Sequence, residues 1–136
     1  MQKTLTLLFL IFLVNYLFAQ SVFEHGSPFL RNYTYKEYGG SSQVWCAVQD
    51  NRGIMYFGDN EGIIEFDGST WKRIYTPSKT IVRSLAIDST GRIYVGSFGE
   101  FGYLKPDKSG NLEYTSLSVL LPETERKFQD IQKVII

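Results

Sequence analysis

Four side chains in this 136-residue chain have the chemistry to hold a ligand: Trp45, Arg83, Phe98 and Glu100. An indole face and a guanidinium fork suit a sugar ring or an acidic group. Trp45 and Arg83 stand at matching positions of two similar segments, each near the start of an apolar run. The plainer reading is that Trp45 packs between structural units and Arg83 is solvated. Phe98 and Glu100 fall between two expected strands, in a connection, where binding residues concentrate. No catalytic constellation is expected. His25 is the single histidine and has no nucleophile motif beside it, while Glu65, Asp67 and Glu100 are scattered carboxylates. Cys46 sits in the apolar run Val44 to Val48 and is expected to be a small buried core residue, not a reactive thiol. One cysteine and one histidine are too few for a zinc site, so neither metal nor cofactor is expected.

Sharper motifs fail on their physics. Gly96-Ser97-Phe98-Gly99-Glu100-Phe101-Gly102 has the glycines of a phosphate loop, but such a loop must open a helix whose N–H groups face the phosphate. Here Tyr103-Leu104 continues as strand and Pro106 follows, so a turn between strands is expected. Asp59-Asn60-Glu61-Gly62 and Asp50 to Gly53 lack the acidic spacing of a calcium loop, and Asx-turn chemistry explains both.

The elements that must position these residues are repeated. Val44 to Gly58 superposes without a gap on Val82 to Gly96, an offset of 38 residues. Both copies carry Val, then Asp-x-x-Gly, an apolar residue, Tyr, an apolar residue and Gly. Val44–Val48 is expected to be a strand buried on both faces, and Asp50-Asn51-Arg52-Gly53 a tight turn. Strands are predicted over Ile54–Phe57, Ile63–Phe66 and Trp71–Tyr75, with turns at Asp59–Gly62 and Asp67-Gly68. The second copy predicts strands over Val82–Ile87, Ile93–Val95, Phe101–Leu104 and Leu112–Thr115. One helical turn is expected within Glu123–Phe128, and Gly39-Gly40-Ser41-Ser42 reads as a flexible approach. The expected organisation is a signal peptide over 1–19, an N-terminal segment over 20–43 and a first unit over 44–80. A second unit with its connection follows over 81–127, and 128–136 is the first strand of a third. Four short antiparallel strands repeated at this period predict an all-β fold of β-propeller blades, with a flat sandwich as the rival. A blade of ordinary size allows about two and a half of them here, an unclosed part of a larger ring, so the chain is expected to be the amino-terminal piece of a longer protein.

The first residues read as an address. Lys3 gives a positive start, an apolar run extends from Leu5 to Phe18, and Ala19 is the small residue before the cut. An uncleaved signal anchor is the alternative. The chain is 43% hydrophobic, which excludes a disordered tail, and its 14 basic and 14 acidic residues leave no cationic surface for nucleic acid.

The run Val82-Arg83-Ser84-Leu85-Ala86-Ile87-Asp88-Ser89-Thr90-Gly91-Arg92-Ile93-Tyr94-Val95-Gly96 resembles the two-component-regulator propeller repeat of bacterial sensor proteins. Tyr56 and Tyr94 stand where Trp is common in that repeat. Pro28 to Tyr33, Trp45, Gln49-Asp50, Gly53, Gly58, Gly62, Phe66-Asp67-Gly68 and Trp71 look like the first blade of such an ectodomain. The resemblance implies an exported protein, periplasmic or extracellular, whose parent is anchored in the inner membrane and ends in a histidine kinase or helix-turn-helix output module. It implies a non-catalytic role, with a small-molecule or glycan ligand recognised by the propeller. No nucleic acid is expected to bind this chain. Contact with a membrane is expected only through the signal peptide or a missing carboxy-terminal part, and self-association is expected if the short chain stands alone. The alternatives are a secreted propeller scaffold for protein–protein interaction and a piece of a carbohydrate-active propeller enzyme.

Overall fold

A computed structural model describes Gly26 and residues 29–136. The expected signal peptide and His25 lie outside the described residues. The chain divides into two units, Met1–Arg31 and Asn32–Ile136, and every described strand belongs to the second.

That unit is mostly β. The strands are β1 (Val44–Gln49), β2 (Met55–Asp59), β3 (Ile63–Phe66) and β4 (Trp71–Ile74), then β5 (Val82–Ile87), β6 (Ile93–Ser97), β7 (Glu100–Pro106) and β8 (Leu112–Ser116). They form two four-stranded sheets in the orders β1-β2-β3-β4 and β5-β6-β7-β8, each strand antiparallel to the next. Turn chemistry dictates this meander. In the β1–β2 turn, Asp50 Oδ1 accepts from the Arg52 and Ile54 amides at 2.9 and 3.0 Å, and Gly53 takes φ +84°. In the β5–β6 turn, Asp88 Oδ1 accepts from the Thr90 and Arg92 amides at 2.8 and 3.0 Å, with Gly91 at φ +86°. The same side-chain cap and the same left-handed glycine therefore close both hairpins.

The sheets meet along β1, β2 and β5. Their shared core comprises Tyr56, Ile63, Ile74, Val82, Leu85, Ile93, Val95 and Leu104, all buried. Close approach rests on Gly58: a Cβ there would come within 2.6 Å of Cys46 Sγ and 2.7 Å of the Val82 side chain. Gly96, its counterpart, has Ile131 in the place of Val82, again at 2.6 Å from an added Cβ. Residues 131–136 thus lie on the second sheet as β5 lies on the first. They form no strand, and a single bridge, Phe98 to Asp130, precedes them.

Several expectations need correction. β1 is not buried on both faces: Val44 is 44% exposed and Trp45 37%, whereas Val82, its counterpart on β5, is fully buried. The physical reason is that β5 has the first sheet against it, and no described residue covers β1 in the same way. Cys46 is only half-buried. The helical turn expected within Glu123–Phe128 is a 3₁₀ turn at Glu123–Glu125, preceded by another at Ser118–Leu120. The Gly39–Ser42 approach is tied down. Helix α1 (Tyr35–Tyr38) starts where the Thr34 amide and hydroxyl donate to Glu37, and ends on Gly39 in the left-handed region. The Ser41 amide then donates to Asp59 Oδ2 at 3.0 Å.

That segment covers the outer face of the first sheet. Phe66 and Trp71 stack at 3.9 Å between ring centroids, Tyr33 meets both edge-on, and Tyr38 tilts against Trp71 at 5.6 Å. Beside them Arg73 donates to both oxygens of Asp59, at 3.0 and 2.8 Å, and to the Gly39 carbonyl at 2.9 Å.

Candidate functional site

A local irregularity of the repeat builds the candidate site. In β1, Val44 pairs with Asp59 and Cys46 with Gly58, so Trp45 is left out of the ladder. In β5, Val82 pairs with Ser97 and Ser84 with Gly96, so Arg83 is left out at the equivalent place. Each sheet therefore carries a β-bulge one residue into its first strand. A bulge bends the strand and re-aims the unpaired side chain. Here the two re-aimed side chains meet, with the Arg83 guanidinium carbon 3.7 Å from the centroid of the Trp45 ring.

The surroundings fix both groups. Trp45 Nε1 donates to Asn60 Oδ1 at 2.7 Å, locking the indole to the β2–β3 turn. Arg83 Nε lies 3.5 Å from Asp130 Oδ2, an ion pair with both side chains about three-quarters buried. Arg83 Nε and Asp130 Oδ1 are inaccessible to solvent and make no hydrogen bond. Asp130 is in turn fixed by its backbone bridge to Phe98, whose amide donates to the Ile81 carbonyl at 3.1 Å. Trp45 and Arg83 thus meet at one end of the sheets, where Asp130 joins Arg83 through its side chain and Phe98 through its backbone. A guanidinium on an indole gains cation–π attraction and keeps its outer edge for an oxygen ligand. The face of the Trp45 ring that Arg83 covers is closed to a stacked sugar ring.

Glu100 does not join this group. It opens β7 instead of lying in a connection, and pairs with Ser97. Its Oε1 accepts from the hydroxyls of Tyr114, Ser116 and Ser118, at 3.0, 2.6 and 2.6 Å. The neighbouring charge has a clear effect on Tyr114: burial first, then the Glu100 charge and hydrogen bond, drive its phenol far above the ordinary range. Glu100 is a bracket between β7, β8 and the 3₁₀ turn.

Asn60 and Asp130 are the members that residue patterns did not single out. Asn60 stands in the turn position matching Phe98, which the repeat offset could have exposed. Asp130 lies beyond the second sheet, 47 positions from Arg83, and no spacing rule links the two. Among the described residues no cluster of three or more His, Cys, Asp or Glu could hold a metal ion. None of their helices is long and apolar enough to cross a membrane. No family description, curated protein or solved structure matches this chain.

Proposed function

We propose that the two sheets are successive blades of a β-propeller, and that this propeller recognises a small ligand outside the cell on behalf of a bacterial signal-transduction regulator. The role is non-catalytic, with occupancy biasing a two-state rearrangement of the ectodomain. Support for blades comes from two four-stranded meanders of equal plan, stacked so that first strand lies near first strand. Support for recognition comes from one observation: equivalent bulges in the two units aim Trp45 and Arg83 at each other, 3.7 Å apart and partly exposed. Repeated structure does not require that meeting, and its cost is a break in two ladders.

The ligand is a sugar-sized molecule carrying an acidic or hydroxyl-rich edge, which places an oxygen pair against the guanidinium. Trp45 supplies its own assay. Titrating the chain with neutral and acidic oligosaccharides should change indole emission, and Arg83→Gln should remove the response while leaving the far-UV spectrum unaltered. Absence of any response from the unsubstituted chain across both classes would overturn the reading.

A second reading has its own observation. Val44, Trp45 and Phe98 are 44%, 37% and 48% exposed, an apolar presence that fits a protein partner on a scaffold. Retention of a defined protein partner, lost on Trp45→Ala and insensitive to saccharides, would favour the scaffold.

A further inference from the structure

We infer that the cleft between the two sheets, at the end of the strands remote from Trp45 and Arg83, is a second binding site, for a small oxyanion. The location follows from register. Trp45 and Arg83 lie beside the strand ends that pair with Asp59 and Ser97, whereas the Asp50–Gly53 and Asp88–Gly91 turns join the opposite ends. The sheets meet along β1, β2 and β5, and a cleft of about 380 Å³ opens between them on the turn side. That volume admits a single sugar-sized or smaller ligand.

The lining decides the chemistry. Four cations reach the cleft, Arg52 and Lys72 from the first sheet and Arg92 and Lys105 from the second, against one carboxylate, Glu65. Three of the four already face acids. Arg52 is 2.7 Å from Asp50, Lys105 is 3.3 Å from Glu113, and Lys72 is 3.8 Å from Glu65. Arg92 makes no direct ion pair among the described residues, although its charge also helps to hold the nearby Asp88 carboxyl low. Its guanidinium carbon sits 4.8 Å from the centroid of the Tyr103 ring, which orients the group without neutralising it. Ile54, Ile93 and Leu104 add apolar surface to a lining that is otherwise largely polar. The Glu65 side chain is only 12% exposed and has Lys72 beside it, so its charge is answered from within the wall.

An oxyanion bound by Arg92 and Lys105 would sit on the second sheet, facing Arg52 and Lys72 of the first across the cleft. Carboxylate, sulfate and phosphate share this chemistry, and a free inorganic ion or an acid group on a sugar could each supply it.

The test is an amide-resolved NMR titration of the full chain with inorganic sulfate, glucuronate, glucose 6-phosphate and, as a neutral control, glucose. The three anions should shift the amides of Gly91 and Asn111, which line the cleft, and glucose should not. Sulfate binding as tightly as the sugar acids identifies an inorganic-ion site; tighter binding of the sugar acids identifies an acidic saccharide. Arg92→Gln with Lys105→Gln should weaken binding about tenfold, whereas Lys36→Gln on α1 and Arg83→Gln should leave it unchanged. The inference fails if no anion moves those amides, if glucose moves them equally, or if Lys36→Gln weakens binding as much as the double variant. Because Arg83→Gln removes only the site at the other end, failure of one site is distinguishable from failure of the other.

Discussion

Single residues here divide into those whose charge is locked inside the fold and those left partly exposed, and charge burial separates them. Asp59 is fully buried and Arg73 largely so, and their paired hydrogen bonds join β2, β4 and the segment before β1. Burial alone would push the Asp59 carboxyl up, but the Arg73 hydrogen bonds and the Ser41 and Glu61 amides outweigh it and hold it below its ordinary value. Removing one partner leaves a buried charge uncompensated, so Arg73→Met should cost about 3 kcal/mol in chemical denaturation. The pH consequence has a definite sign. A depressed folded pKa stabilises above the unfolded value, about 3.9 for aspartate, and that contribution is lost as pH falls through the lower folded value. Acid titration should therefore show wild type losing stability as pH falls from about 3.9 through the lower folded value, relative to Asp59→Asn, which has no such proton to take up. Glu100 belongs with Asp59. Glu100→Ala leaves the Tyr114 and Ser116 hydroxyls without their acceptor, while Ser118 keeps the Phe101 carbonyl, and should destabilise by about 2 kcal/mol without changing ligand response, the reverse of Arg83→Gln.

Cys46 is a residue whose burial governs its reactivity. Desolvation pushes its thiol up to about 11, against smaller opposing hydrogen bonds from the Gly58 and Leu85 backbone. The thiolate is the reactive form, so alkylation of the native chain at neutral pH should be far slower than alkylation of the unfolded chain. Equal rates would show that Sγ is not held against Val82 as described.

Among elements, the hairpin turn and the close glycine are the repeated devices. Gly58 and Gly96 occur at the same place in each copy because Val82 of β5 passes directly over the first and Ile131 over the second. Gly58→Val should therefore destabilise by about 2 kcal/mol or more through overpacking against Cys46 and Val82, measured by thermal or urea unfolding. Gly68→Ala is the control, because an added Cβ there meets nothing within 4 Å and the cost is confined to its left-handed φ of +95°. The strands around these glycines were legible in the residues: eight of the nine expected strands exist, their ends matching or moved by one or two positions, whereas the strand expected over 128–136 does not form and leaves only the bridge at Asp130. β7 is the largest change, running Glu100–Pro106 instead of Phe101–Leu104, because Glu100 gains partners across β8 that no local pattern announces.

For the molecule as a whole, the arrangement of sheets sets which parts open first. β5 lies between the first sheet and residues 131–136, and the Val134 amide donates to Ser84 Oγ at 2.8 Å. β1 keeps much of its surface exposed. Amide hydrogen exchange should be slowest in β5 and β6 and faster along β1, whose opening exposes little further apolar surface. Uniform protection across the two first strands would contradict this ordering.

Residue patterns alone were enough for the repeat, the all-β class, the turn positions and the equivalence of Trp45 with Arg83. These are encoded locally, by alternation, by Asp-x-x-Gly turns and by glycine placement, so they can be read without knowing which distant segments meet. Folding in three dimensions was needed to turn two bulged side chains onto one another, to close the group with Asp130, to make Glu100 a bracket, and to converge four cations on the opposite cleft. Each of these depends on atoms far apart in the chain brought within a few ångströms, and short-range electrostatic and packing forces assign roles only at that distance.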